Sequence, residues 1–115
     1  TFESTSMGVS VFTLEGRLLE FNRAFASMMG YSESELLARS VLDLTHPEDL
    51  EKTEASLRPL LTGEAGSSKL EKRYVRKDGS WFWAQSTVTA TRTPDGFPKT
   101  LVAVTEDISF RIESK

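Results

Sequence analysis

The stretch from Trp81 to Thr91 constrains the fold more than any other part of this chain. Phe82, Ala84, Ser86, Val88 and Ala90 fall on one side of it; Trp81, Trp83, Gln85, Thr87 and Thr89 fall on the other. A period of two over that length is the pattern of a long β-strand with unlike faces. The small, mostly apolar side suits contact with helices, while the other mixes two tryptophans with polar neighbours. Lys77-Asp78-Gly79-Ser80 precedes the strand and Thr93-Pro94-Asp95-Gly96 follows it. Both segments carry the residues that tight turns require. Leu70 to Arg76 and Thr100 to Ile108 are therefore predicted to run back along it as antiparallel neighbours.

The opening third repeats this pattern on a smaller scale. Val9 to Leu14 is β-branched and aromatic, Glu15-Gly16 forms a turn, and Arg17 to Phe21 returns. Simple alternation puts Leu19 and Phe21 on one face and Leu18 on the other.

From Asn22 the period becomes helical. Asn22 is a good N-cap, Phe25, Met28 and Met29 share a face, and Gly30 is a natural stop. Ser32 to Glu35 has the form of a capping box for a short helix through Leu36 and Leu37. Another turn is predicted over Val41 to Leu44. His46-Pro47-Glu48-Asp49 opens the longest helix, with proline in its first turn and acids at the positive end of its dipole. Leu50, Leu57, Leu60 and Leu61 form its predicted buried stripe, and Gly63 its end. Pro59 lies inside it, which predicts a kink or an early end.

The chain of 115 residues suits one domain. The predicted class is α+β, a five-stranded antiparallel sheet with several helices packed on one face and a hollow between them. A net charge of −3 with no basic stripe gives no reason to expect nucleic acid. No apolar run approaches a membrane span and no signal peptide opens the chain, so the domain is expected to be cytoplasmic and free of membrane contact. The absence of cysteine excludes disulfides, thiolate metal sites and cysteine-linked chromophores. The chain opens without Met and stops in a polar helical stretch. Residues 1–109 are accordingly expected to form the domain, and 110–115 to begin a linker helix leading to a covalently attached output domain.

Across nearly its whole length the chain resembles PAS domains, the sensory-box family of bacterial signalling proteins. Gly16-Arg17, Asn22-Arg23-Ala24-Phe25, Gly30-Tyr31, Glu35-Leu36 and His46-Pro47-Glu48-Asp49 occur in the family's order. Glu71-Lys72-Arg73-Tyr74, Arg76-Lys77-Asp78-Gly79-Ser80, Trp83 and Val104-Thr105-Glu106-Asp107-Ile108-Ser109 complete the series. The resemblance implies a sensing module, without enzymatic activity of its own, that dimerises and passes its state to an output domain. A sensor histidine kinase is the leading expectation and a diguanylate cyclase or another regulator the alternative. A stand-alone small-molecule or flavin-binding protein is the alternative of a different class. Two departures stand out: Thr13 replaces an acid common before the first turn, and Pro59 interrupts a helix that relatives keep continuous.

Candidate site residues fall into three sets. Phe25, Met28, Met29, Tyr31, Leu57, Leu60, Leu61, Phe82 and Ser86 are candidates for a ligand pocket, since mixed aromatic and thioether linings suit flat organic molecules. The competing explanation is that they fill the core. No cofactor is expected; an unidentified small ligand or a non-covalent flavin fits such a lining. Haem is not expected, because His46, the one histidine, stands at a helix start before Pro47. Trp81 and Trp83 are interface candidates for a homodimer through the sheet face or flanking helices. Asp107 and Ile108 are the signal-coupling candidates: the resemblance implies that Asp107 couples the core to the outgoing helix, with Arg73 or Arg17 as candidate partners, and a helix cap at Asp107 or Ser109 is compatible with that role. No nucleophile–base constellation and no phosphate-binding loop are present.

Overall fold

The structure, a computed structural model, describes residues 7–109. Five strands form one antiparallel sheet: β1 (Gly8–Phe12), β2 (Leu18–Phe21), β3 (Ser67–Val75), β4 (Trp81–Arg92) and β5 (Pro98–Asp107). Their order is β2-β1-β5-β4-β3, so the opening hairpin docks against the last strand. Along β4, Phe82, Ala84, Ser86, Val88 and Ala90 are all buried, in strict alternation with more exposed residues. Phe12, Tyr74, Leu101 and Ala103 join them in the core. Gly79 and Gly96 take φ of 90° and 92° in the two turns flanking β4, a region that favours glycine.

Helices α1 (Arg23–Met29), α2 (Glu33–Leu37) and α3 (Leu50–Thr62) connect β2 to β3. Asn22 caps α1 through Oδ1, which accepts from the Phe25 amide at 2.9 Å. The same oxygen accepts from the Val9 amide at 2.9 Å, and Asn22 Nδ2 donates to the Met7 carbonyl at 3.0 Å. This fully buried amide therefore fastens α1 to β1 as well as starting the helix. The capping box of α2 is complete, with Ser32 and Glu35 each accepting from the other's backbone amide. A turn covers residues 41–44, and Pro47–Asp49 forms a 3-10 turn ahead of α3.

Each sheet edge is capped at one end by a connecting segment, which shortens the exposed hydrogen-bonding row that invites aggregation. Beside β2, Leu18 donates to the Arg39 carbonyl and Val41 to that of Gly16. Beside β3, the His46 amide donates to the Arg73 carbonyl and the Val75 amide to that of Leu44.

Three expectations are corrected. Leu18 and Phe21, not Leu19 and Phe21, face inward, because a bulge in the β1–β2 pairing inserts one extra residue. Leu18 pairs with Phe12 and Phe21 with Ser10, while Leu19 is left 48% exposed. Helix α3 does not end early at Pro59 but continues to Thr62, with Gly63 as its left-handed stop. Pro59 lies only one turn from that end, so its missing amide interrupts little of the ladder. The buried stripe of α3 is Thr53 and Leu60 with half-buried Leu50 and Leu57, whereas Leu61 is 40% exposed.

Candidate functional site

The interior between α3 and the sheet is nearly full. A cavity of about 10 Å³ remains, lined from β3 by Ser68, Leu70, Lys72 and Tyr74 and from α3 by Thr53, Ser56 and Leu57. Phe12, Val41, Ser86, Val88 and Ala103 close it. That is room for about one water molecule. An open groove of about 240 Å³ lies next to it, between α3 and the first hairpin, with Leu14, Leu42, Leu61 and Leu101 among its walls and Glu15, Glu54 and Arg58 also lining it. Phe12, Val41 and Leu57 line both spaces and form the partition between them.

Of the pocket candidates, Leu57 and Ser86 line the cavity, and Leu57 and Leu61 line the groove. Phe25, Met29, Leu60 and Phe82 lie in the packed core, with Met28 and Tyr31 partly buried against it. Ligand pockets typically run to about 300–1,000 Å³, so a flavin or haem would require these side chains to move apart. His46 does not line the cavity. Its Nδ1 accepts from the Glu48 amide at 3.1 Å, and its ring stands edge-on to Trp81.

Lys72 was not among the expected site residues. Alternation places it inward between Leu70 and Tyr74, and it is only 3% exposed. Its Nζ donates to Thr45 Oγ1 at 3.1 Å and lies 4.7 Å from the centre of the Tyr74 ring. No salt bridge involves it among the described residues. The signal was available, since the strand period that turns Tyr74 inward also turns Lys72 inward.

The outer side of the same strand is built differently. Arg73 Nε and Nη2 donate to Asp49 at 3.1 and 3.0 Å, and Nη2 also reaches Glu48 at 3.2 Å. Asp49 Oδ2 additionally accepts from the Arg73 backbone amide at 2.7 Å, replacing the missing strand neighbour at this edge. These bonds from Arg73 hold the Asp49 carboxyl down at about 2, well below the usual carboxylate range. The guanidinium also lies over Trp83 at 5.1 Å and Trp81 at 5.4 Å, and the two indoles meet edge to face at 6.4 Å. Trp81 and Trp83 thus belong to a local cluster, with Trp81 still 47% exposed.

At the exit of β5, Asp107 pairs with neither arginine: Arg73 is engaged by Asp49 and Glu48, and no salt bridge of Arg17 is present among the described residues. Asp107 Oδ1 accepts from the Ser109 amide at 2.9 Å, which is the geometry of a cap for the outgoing segment. Ile108 is 1% exposed and its amide donates to the Trp83 carbonyl at 3.0 Å. Thr13, in place of an acid, closes the first turn by accepting from the Arg17 amide at 3.1 Å. The linker helix expected at 110–115 lies outside the described residues.

Comparison with known proteins follows the same lines. The family model described as "PAS fold" matches residues 18–105. The chain is 36% identical over 107 residues to Probable diguanylate cyclase DgcE of Escherichia coli, covering 93% of this chain and 10% of that protein. It is 28% identical over 108 residues to Sensor histidine kinase TmoS of Ectopseudomonas mendocina, covering 94% of this chain and 11% of that protein. The solved PAS domain of a protein from Colwellia psychrerythraea superimposes with a TM-score of 0.87 at 22% identity, covering 96% of this chain and 92% of that one. The chain spans about a tenth of the length of these curated relatives. With the strand order, the helices on one face and the match over residues 18–105 taken together, this chain belongs to the PAS fold family.

Proposed function

We propose that this domain is the sensory or relay module of a multidomain bacterial signalling protein, working in the cytoplasm and joined to a histidine kinase output. A diguanylate cyclase output is the second reading, and the higher identity to the cyclase relative favours it. In either setting the domain regulates and the attached domain catalyses.

The observation that carries this reading is the exit of β5. Ile108 is buried, its amide is tied to Trp83 on β4, and Asp107 caps the segment that leaves. A shift of β5 against β4 would therefore be transmitted to whatever follows Ser109 rather than absorbed by a slack connection. The hollow behind β4 and β5 is where a small ligand would bias that shift. On the outer face, Val9 lies opposite Val104 and Val11 opposite Val102. That apolar strip supports a homodimer through the sheet.

The test is made in the parent protein. Ile108→Asp, or removal of residues 110–115, is expected to lock the output activity and make it unresponsive to stimulus. Retention of normal regulation by both variants would count against the reading.

A further inference from the structure

Lys72 is a buried cation without a buried anion. A lysine taken out of water is normally paired with a carboxylate, because an unpaired interior charge is costly. Here Nζ has Thr45 Oγ1 and the face of Tyr74, and no carboxylate bridges it among the described residues. The other polar residues lining the cavity beside it all carry hydroxyls, Thr53, Ser56, Ser68, Tyr74 and Ser86, with no aspartate or glutamate. Thr53 and Ser56 already donate to the Asp49 and Thr53 carbonyls at 2.7 and 2.9 Å, so Lys72, with Ser68 and Ser86, supplies the donors left for a ligand. The cavity is mostly apolar otherwise, and the adjoining groove of about 240 Å³ is largely aliphatic.

From this set we infer that Lys72 is the anion-recognising group of the hollow, and that the ligand is a small organic acid with one carboxylate on a compact apolar body. The inference rests on the sensory reading above and names its ligand class. The carboxylate would sit on Lys72 and the neighbouring hydroxyls; the apolar body would lie toward the groove. Phe12, Val41 and Leu57 separate the two spaces, so repositioning of the half-buried Leu57 would join them. Glu15 and Glu54 outnumber Arg58 in the groove, a net negative lining that disfavours the acid head there. The cavity, with a cation and no carboxylate in its lining, is the place that suits it. The size of the groove argues for a ligand smaller than the usual occupant of a protein pocket.

The experiment compares benzoate with benzamide, a pair of similar shape that differs in charge, on the unmodified 115-residue chain. Calorimetric titration is expected to show benzoate binding at least about tenfold more tightly than benzamide, a factor worth 1.4 kcal/mol. At roughly three times its Kd, benzoate should raise the melting temperature by about 3–6 °C. Lys72→Met is expected to lose benzoate binding by at least about tenfold while melting no lower than the parent chain, since it removes a charge and keeps the stem volume. Equal affinity for benzamide, or an unchanged benzoate affinity in Lys72→Met, would overturn the assignment. So would the absence of any melting shift with acetate, hexanoate and benzoate. The first comparison needs no variant to fold. The relay reading is scored separately, by output activity in the Ile108 variants, and can stand if this one fails.

Discussion

Lys72 and Arg73 are neighbours in sequence and opposites in environment. Arg73, on the outer side of β3, meets two carboxylates, two indole faces and an exact partner for its own backbone amide. Lys72, on the inner side, is more deeply buried and meets a hydroxyl and one ring. The lesson is that burial does not rank these cations by contribution to stability. Arg73 and Asp49 complete each other and hold the start of α3 against an edge strand, a structural arrangement. Lys72 leaves donor capacity unused in the middle of the fold, which selection for stability alone would replace with a hydrocarbon.

Four measurements test this contrast. The largest effect is expected for Asp49→Ala, which strips Arg73 of its main partner and leaves its edge amide unpaired. A loss of about 3 kcal/mol in urea unfolding is expected. Next comes pH. Because the folded Asp49 carboxyl is depressed to about 2 from an ordinary value near 3.8, its contribution is complete above pH ~4 and declines as pH falls through about 2. Roughly 1–2 kcal/mol of stability should disappear over that interval, and Asp49→Asn should flatten the acid limb of the stability curve. Lys72→Met should move the other way, with a gain of about 1 kcal/mol or no change; a loss of about 2 kcal/mol would make Lys72 a structural residue like its neighbour. Smallest is Trp81→Ala, expected to cost about 0.5 kcal/mol, since the carboxylates rather than the exposed indole hold Arg73. A larger loss would assign the anchoring role to the rings.

Much of the architecture was legible because local periods were unambiguous. The alternation through β4 identified its inward residues one by one, and the turn residues on either side fixed which strands flank it. Asn22, Gly30, Ser32 and Glu35 marked helix ends through chemistry that acts within one turn. The bulge in the β1–β2 pairing was not legible, because a single inserted residue is set by how two strands meet rather than by either strand alone. The candidate pocket was legible only in part. Apolar residues such as Phe25, Met29 and Phe82 carry no mark that separates lining a hollow from filling one, and they fill it. Lys72 carried a mark, an inward charge, that apolar expectations passed over.

The order of strands and helices, their caps and turns, and the split of β4 into two faces were determined by the sequence itself, through interactions spanning a few residues. The tertiary structure alone decided which carboxylate Arg73 meets, how little space remains beside Lys72, and that Asp107 turns to the Ser109 amide instead of an arginine. Each of these depends on groups more distant in the chain being brought within a few ångströms, or on competition among them. Periodicity assigns a side chain to a face, whereas packing selects the neighbour it finds there.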